Sequence, residues 1–329
     1  MDPGQFFTAS RVIIVAGKGG VGKTTVSAAL ARGAARSGLS TLVVEVEGKS
    51  GLPAMFGQDD NLTYIEQTIS PGGGPEGAAD IRARTLTPDD ALLEYLQDHG
   101  LSRISKRLVN TGALDVVATA APGIKDILIL GKVKQLERTS DVDLILLDAP
   151  AAGHAITFLR SPRGLLDAVR VGPINTQARD VLDMLTDHRR CQVILVSLPE
   201  ETPVNELVET AYSLEDHVGI GLGPVVVNGL YPPLKGIATD PRVAAEEAHA
   251  SLRPGEAEIL SKAADFRSHR IELQQEQVAR LAELLPLPQI HLPFLFTSDP
   301  GPADVDLLAD NLLAGIDALQ PLPESGTDA

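Results

Sequence analysis

Val12-Ile13-Ile14-Val15-Ala16-Gly17-Lys18-Gly19-Gly20-Val21-Gly22-Lys23-Thr24-Thr25 decides the fold of this chain. A short β-branched run enters a glycine-rich loop, and the loop enters Ala-rich, helix-favouring sequence that continues to about Ser37. The order is strand, loop, helix. Gly17 to Thr24 fits G-x-x-x-x-G-K-[ST] in the context that makes such a match informative. Glycines let successive backbone N–H groups turn toward phosphate oxygens without a Cβ in the way, and the following helix N-terminus adds partial positive charge. Gly17, Gly19, Gly20, Val21, Gly22, Lys23, Thr24 and Thr25 are thus the expected nucleotide cradle. Within it Lys23 is expected on the β- and γ-phosphates and the Thr24 hydroxyl on Mg²⁺.

Further apolar strand signals recur at Thr41 to Val46, Val142 to Leu147, Gln192 to Leu198, Gly223 to Asn228 and Gln289 to Leu292, separated by helical stretches. Strands alternating with helices imply right-handed crossovers and a doubly wound, mainly parallel sheet buried on both faces. The fold class is α/β, that of a phosphate-loop nucleoside triphosphatase with a helical insertion subdomain. Core sequence is expected over 8–60 and 141–320, with a largely helical insertion over 61–140 and a disordered tail over 321–329. In the insertion, Thr87-Pro88-Asp89-Asp90 reads as a helix start, and Ile124 to Leu136 as a mostly apolar helix. Another long helix is expected from about Glu256 to Leu285.

The whole chain has 329 residues, 43% hydrophobic, 22% charged and 3% aromatic, the balance of an ordinary globular protein. Its 28 Lys and Arg stand against 44 Asp and Glu, a formal charge of −16. Such a surface repels nucleic-acid phosphates and anionic lipid, so neither is an expected partner. Cys191 is the sole cysteine, which rules out an intrachain disulfide or a zinc cage built from this chain's thiolates and fits a reducing cytoplasm. No apolar run is long enough to span a bilayer, and the start is too short in apolar residues for a signal-peptide core.

Lys18, directly after the first glycine, makes the loop G-K-G-G-V-G-K-T-T, a deviant Walker A motif. It resembles the loop of the dimeric ATPases that include MinD, ParA, the nitrogenase iron protein, ArsA and the guided-entry ATPase for tail-anchored proteins. The resemblance implies that Lys18 reaches the nucleotide of a partner subunit, in the manner of an arginine finger. Glu45-Val46-Glu47 ends the second strand with both carboxylates on one side, at the sheet edge where ligands of open α/β folds bind. Glu47-Gly48-Lys49-Ser50-Gly51-Leu52-Pro53-Ala54-Met55-Phe56 resembles the family's switch I, with glutamate for aspartate and glycine for proline. The resemblance gives Glu47 the task of orienting the attacking water.

Asp148-Ala149-Pro150-Ala151-Ala152-Gly153-His154 follows an apolar strand and resembles the Walker B aspartate and switch II of the ArsA and guided-entry branch. Asp148 is then expected at the Mg²⁺ through a bound water, Gly153 as a γ-phosphate switch and His154 as a structural switch residue. Asn228, ending Val225-Val226-Val227, resembles the asparagine that meets adenine, and Pro293 the strand end that lines the base pocket. Pro199 to Glu206 and Ala121 to Asp126 also resemble ArsA segments, so the likeness covers about residues 11 to 300. The Glu-Val-Glu-Gly switch I is most similar to the paired ArsA-type ATPases of actinobacteria.

The implied protein hydrolyses ATP with Mg²⁺ as a homodimer or as a heterodimer with a second ArsA-type ATPase. Its dimer closure is coupled to a client or partner protein, and the insertion helices around Leu92 to Leu96 and Ile124 to Leu136 could take an apolar client helix. The alternatives are a MinD- or ParA-like positioning ATPase and an arsenite-pump subunit. Against the first, no Lys or Arg follows Arg280, while Asp304, Asp306, Asp310 and Asp317 crowd the last helix; a stable membrane anchor of that kind is not expected. Against the second, Cys191 stands alone.

Overall fold

The computed structural model describes residues 1–46, 51–73, 77–98, 123–150 and 152–320, with the side chains of 98 and 152–155 left aside. A first helix, α1 (Pro3–Thr8), precedes β1 (Val12–Gly17), α2 (Lys23–Arg36), β2 (Thr41–Val46) and α3 (Leu52–Met55). Then come β3 (Gln67–Ser70), β4 (Ile81–Leu86), α4 (Pro88–Asp98), α5 (Ile124–Thr139) and β5 (Leu144–Asp148). After α6 (Ala152–Ala168) and α7 (Pro173–Thr186) follow β6 (Cys191–Ser197), α8 (Glu201–His217) and β7 (Val225–Leu230). The remainder is α9 (Pro241–Glu247), α10 (Glu256–Leu284), β8 (Gln289–Pro293) and α11 (Pro302–Ala318).

The strands form one eight-stranded sheet in the order β3-β4-β2-β5-β1-β6-β7-β8. Every described pairing is parallel except β3 on β4. The α/β, doubly wound expectation therefore holds. The chain order jumps on both sides of β1, which lies between β5 and β6, so the crevice outside the carboxyl ends of β1 and β5 is where such a sheet binds its ligand.

Period-2 alternation sorts the strand side chains into two core layers. Val12, Ile14, Val44, Ile145 and Leu147 face a layer that includes α5, α6, α7 and α8. Ile13, Val15, Val43, Leu144 and Leu146 face α1, α2 and α11. Ala28, Ala29, Ala31, Ala34 and Ala35 keep α2 thin, which lets it lie close to the sheet while its other side meets α11. Arg32 and Arg36 hold Asp306 at 3.0 and 3.1 Å, and Arg36 reaches Asp310 at 2.6 Å, so part of the last helix's negative charge is neutralised within the fold.

Two strands lie inside the stretch 61–140 where the sequence pattern predicts a mostly helical excursion. β4 pairs in parallel with β2, and β3 runs back along β4, so the first half of this stretch belongs to the sheet. The arginines of β4 hide the strand pattern: Arg84 is only 7% exposed, with its guanidinium 4.5 Å from the Tyr64 ring centre. Downstream, Thr87 caps α4 as expected, its hydroxyl accepting from the Asp90 N–H at 3.1 Å. Helices α5 and α10 also match, whereas α1 has no counterpart in the sequence reading. The tail 321–329 lies outside the described residues.

Leu30 of α2 is fully buried between sheet and helix layers. Leu30→Ala should lower unfolding free energy by about 2–5 kcal/mol, read as a shift of the urea midpoint at unchanged slope.

Candidate functional site

The sheet's alternation places Asp148 on the same face as Leu144 and Leu146, the face that carries α2. Thr24 stands in the first turn of α2. The two meet: Thr24 Oγ1 donates to Asp148 Oδ2 at 2.6 Å. One strand away Glu45 pairs in register with Asp148 and lines the same cleft, 1% exposed. Gly19, Gly20, Gly22, Lys23, Thr24, Glu45, Val46, Asp148 and Ala149 enclose about 280 Å³ at the carboxyl ends of β1, β2 and β5. A wider cleft of about 510 Å³, lined by Arg160, Arg163, Asp167 and His217 among others, lacks both the glycine loop and the strand-end carboxylates.

The loop's path requires glycine at specific points. A Cβ on Gly17 would sit 2.3 Å from the Val196 carbonyl oxygen, so the loop leaves β1 in contact with the backbone of β6. Gly22 has φ +88°, and a Cβ there would lie 2.3 Å from Asn228 Nδ2. Gly19 and Gly20 are exposed above the cleft, and Val21 is buried behind it. Lys23 is buried, its Nζ donating to the Lys18 carbonyl at 3.1 Å, on the inner side of the loop. Thr25 follows Thr24 in the first helical turn.

Most of the predicted residues converge here. Asn228 joins from the far strand β7 and donates through Nδ2 to the Val21 carbonyl at 2.9 Å, which ties that strand to the loop. Pro293 ends the neighbouring strand β8, in register with Leu230. Lys18 points elsewhere, its Nζ 2.6 Å from Glu206 Oε1 on α8, with both side chains about two-fifths exposed. Glu47 lies outside the described residues, as do Ala151 of switch II and the side chain of His154. Glu206 enters the sequence reading only as the end of the ArsA-like stretch Pro199 to Glu206, and its pairing with Lys18 is not visible there because 188 residues separate the two. Glu45 was visible there only as the alternation partner of Glu47.

The donor set fits Mg²⁺. A hydroxyl and a carboxylate side by side are hard oxygen ligands, and Mg²⁺ takes few protein ligands while keeping waters and substrate phosphates. Cys191 does not contribute: it is fully buried in β6, and burial pushes its thiol up, far from thiolate at neutral pH. Among the described residues no cluster of three His, Cys, Asp or Glu side chains could hold a metal by itself.

A family model for anion-transporting ATPases matches residues 10–171. ATPase BagA of Mycobacterium tuberculosis is 30% identical over 303 residues, 86% of this chain and 87% of that protein. ATPase get3 of Schizosaccharomyces japonicus is 27% identical over 188 residues, 55% of each. The arsenical pump-driving ATPase of Escherichia coli is 26% identical over 252 residues, 70% of this chain but 40% of that protein.

Gly22→Ala should weaken binding of a Mg²⁺–nucleoside triphosphate by about tenfold or more, because the new methyl must displace the Asn228 amide and hold a left-handed backbone. Titration with a fluorescent nucleotide checks it.

Proposed function

The chain belongs to the ArsA family of anion-transporting ATPases, and from that premise we propose that it is a dimeric, Mg²⁺-dependent switch whose closure on ATP is read by a client or partner protein. That it is an ATPase of this family follows from its relatives. The single observation that carries the site is the Thr24–Asp148 hydrogen bond at 2.6 Å, which joins the phosphate loop to the strand-end carboxylate.

Each residue has a task that its chemistry suits. Backbone N–H groups from Gly19 to Thr25 bind the phosphate oxygens, and Lys23 exchanges the Lys18 carbonyl for the β- and γ-phosphates. Thr24 and Asp148 would hold Mg²⁺, directly and through water. The bound ion would neutralise charge on the phosphates and orient the γ-phosphoryl for in-line attack. Glu47 would orient the attacking water, and Glu45 stands beside Asp148 at the same end of the cleft. Asn228 and Pro293 would border the base. Because Nδ2 of Asn228 is given to the Val21 carbonyl, Oδ1 remains as an acceptor, which suits the exocyclic amino group of adenine and opposes the O6 of guanine.

Lys18 supports the dimeric reading through what holds it. In the single chain its ammonium is paired with Glu206, and it must leave that carboxylate to act on a partner's nucleotide. An ion pair this exposed is worth about 0–1 kcal/mol, so the pairing is a weak restraint that a triphosphate can outcompete. The partner is a second copy, giving a homodimer, or a related ArsA-type chain, giving a heterodimer; the client would sit on the helices of the 61–140 region. Among the described residues no helix is long and apolar enough to cross a membrane. We infer a cytoplasmic setting from the lone reduced cysteine, and no nucleic-acid role from the charge of −16. An arsenite-triggered pump is disfavoured because Cys191 is the only cysteine and is buried.

Lys18→Ala should reduce kcat by at least about a hundredfold, the scale of losing one transition-state donor, while leaving nucleotide affinity nearly unchanged. Glu206→Gln, which frees Lys18 without removing it, should lower the protein concentration at half-maximal turnover by about two- to fivefold. Steady-state hydrolysis across a dilution series measures both. Unchanged turnover in Lys18→Ala would remove the cross-subunit role.

A further inference from the structure

The pairing of β7 with β8 slips after Val227: Val227 stands opposite His291, but Leu230 stands opposite Pro293. One extra residue is therefore accommodated in β7 at Asn228–Gly229, where Gly229 takes φ +79°. A bulge of this kind takes backbone groups off the ladder and re-aims a side chain. Here the re-aimed side chain is Asn228, which turns to the Val21 carbonyl of the phosphate loop.

The groups beside the bulge find a partner on another element. Gln274 of α10 is 3% exposed; its Nε2 donates to the Gly229 carbonyl at 3.0 Å and its Oε1 accepts from the Tyr231 N–H at 2.9 Å. Burying an amide is costly unless both of its ends are hydrogen-bonded, and a Leu or Met would fill similar volume without that requirement. What the amide holds explains its presence. Gln274 grips the backbone one and three residues past Asn228, so the turn that aims Asn228 is held from α10 as well as by the Phe294 N–H on the Leu230 carbonyl. Arg267, about two turns earlier on the same helix, reinforces the grip by donating to the Pro232 carbonyl at 2.9 Å.

We propose that Gln274 is a positioning residue for base selection, holding the Asn228 acceptor where an exocyclic amino group is accepted and a carbonyl refused. The proposal rests on Asn228 reading the base. Its effect falls on base choice more than on the phosphates, because the cradle of Gly19 to Thr24 lies between β1 and α2 and meets the bulge through the Asn228–Val21 hydrogen bond.

The test measures affinities of the Mg²⁺ complexes of ATP, GTP and inorganic tripolyphosphate for the full chain and for Gln274→Met, Gln274→Asn and Asn228→Ala. Gln274→Met should lose roughly tenfold of the ATP-over-GTP preference with tripolyphosphate affinity unchanged, and the Tyr231 amide should exchange faster with deuterium. Gln274→Asn, whose shorter stem cannot span both backbone groups, should lose a similar share and decides the matter if the Met variant does not fold. A preference for ATP that survives both substitutions overturns the proposal, as does equal weakening of all three ligands. If Asn228→Ala itself leaves the preference intact, the base-reading role has failed, and the Gln274 inference falls with it for that separate reason.

Discussion

The 2.6 Å hydrogen bond between Thr24 and Asp148 is the constraint around which the molecule is arranged. It can form only if α2 starts at the carboxyl edge of the sheet and on the face toward which Asp148 points. The first condition needs a loop that turns at once out of β1, which Gly17 permits by lying against the β6 backbone. The second needs β5 beside β1, in the register that sets Val15 against Asp148. Two buried layers hold both conditions: small alanines draw α2 onto the sheet, and α11 presses on its back through apolar packing and the arginine–aspartate pairs. The chemistry at the cleft is thus a consequence of packing several turns away.

The parts of this arrangement that are local in the chain were legible in the sequence. The phosphate loop, the strands on either side of it and Asp148 at the end of Leu144-Ile145-Leu146-Leu147 each combine an apolar run with a polar residue at a fixed offset. β3 and β4 were not legible, because Arg82 and Arg84 break the apolar pattern of Ile81 to Leu86 and are made tolerable only by partners elsewhere. Arg82 pairs with Glu66 and Asp141, and Arg84 lies over Tyr64, contacts that no window of sequence displays. Gln274 read as one more polar residue on a long helix, since its role depends on a bulge that forms only when β7 and β8 meet. The partner of Lys18 was hidden for the same reason: Glu206 is near in space and remote in the chain.

These distant contacts have a common geometry. α8 carries Glu206 against the loop, Arg280 of α10 donates to Asn205 at 2.6 Å, and Gln274 of α10 holds the turn beyond Asn228. α8 therefore meets the phosphate loop directly at Lys18, and α10 reaches it at Val21 by way of Asn228 of β7. An event at the loop has a short mechanical route to these helices, and a partner resting on them has one back. Because the Lys18–Glu206 pair is exposed and weak, the restraint it supplies is one that nucleotide and partner binding can overcome.

The central claim is that Lys18 leaves Glu206 to serve a nucleotide bound by another subunit. It is tested most directly by light-scattering mass and ATP turnover measured together over a dilution series, with Mg²⁺ and either ATP or ADP. The account predicts a mass near the single-chain 34.7 kDa with ADP, a doubling with ATP, and a turnover per chain that falls on dilution in step with the loss of the dimer. Full turnover per chain at dilutions where the mass is that of one chain would contradict it.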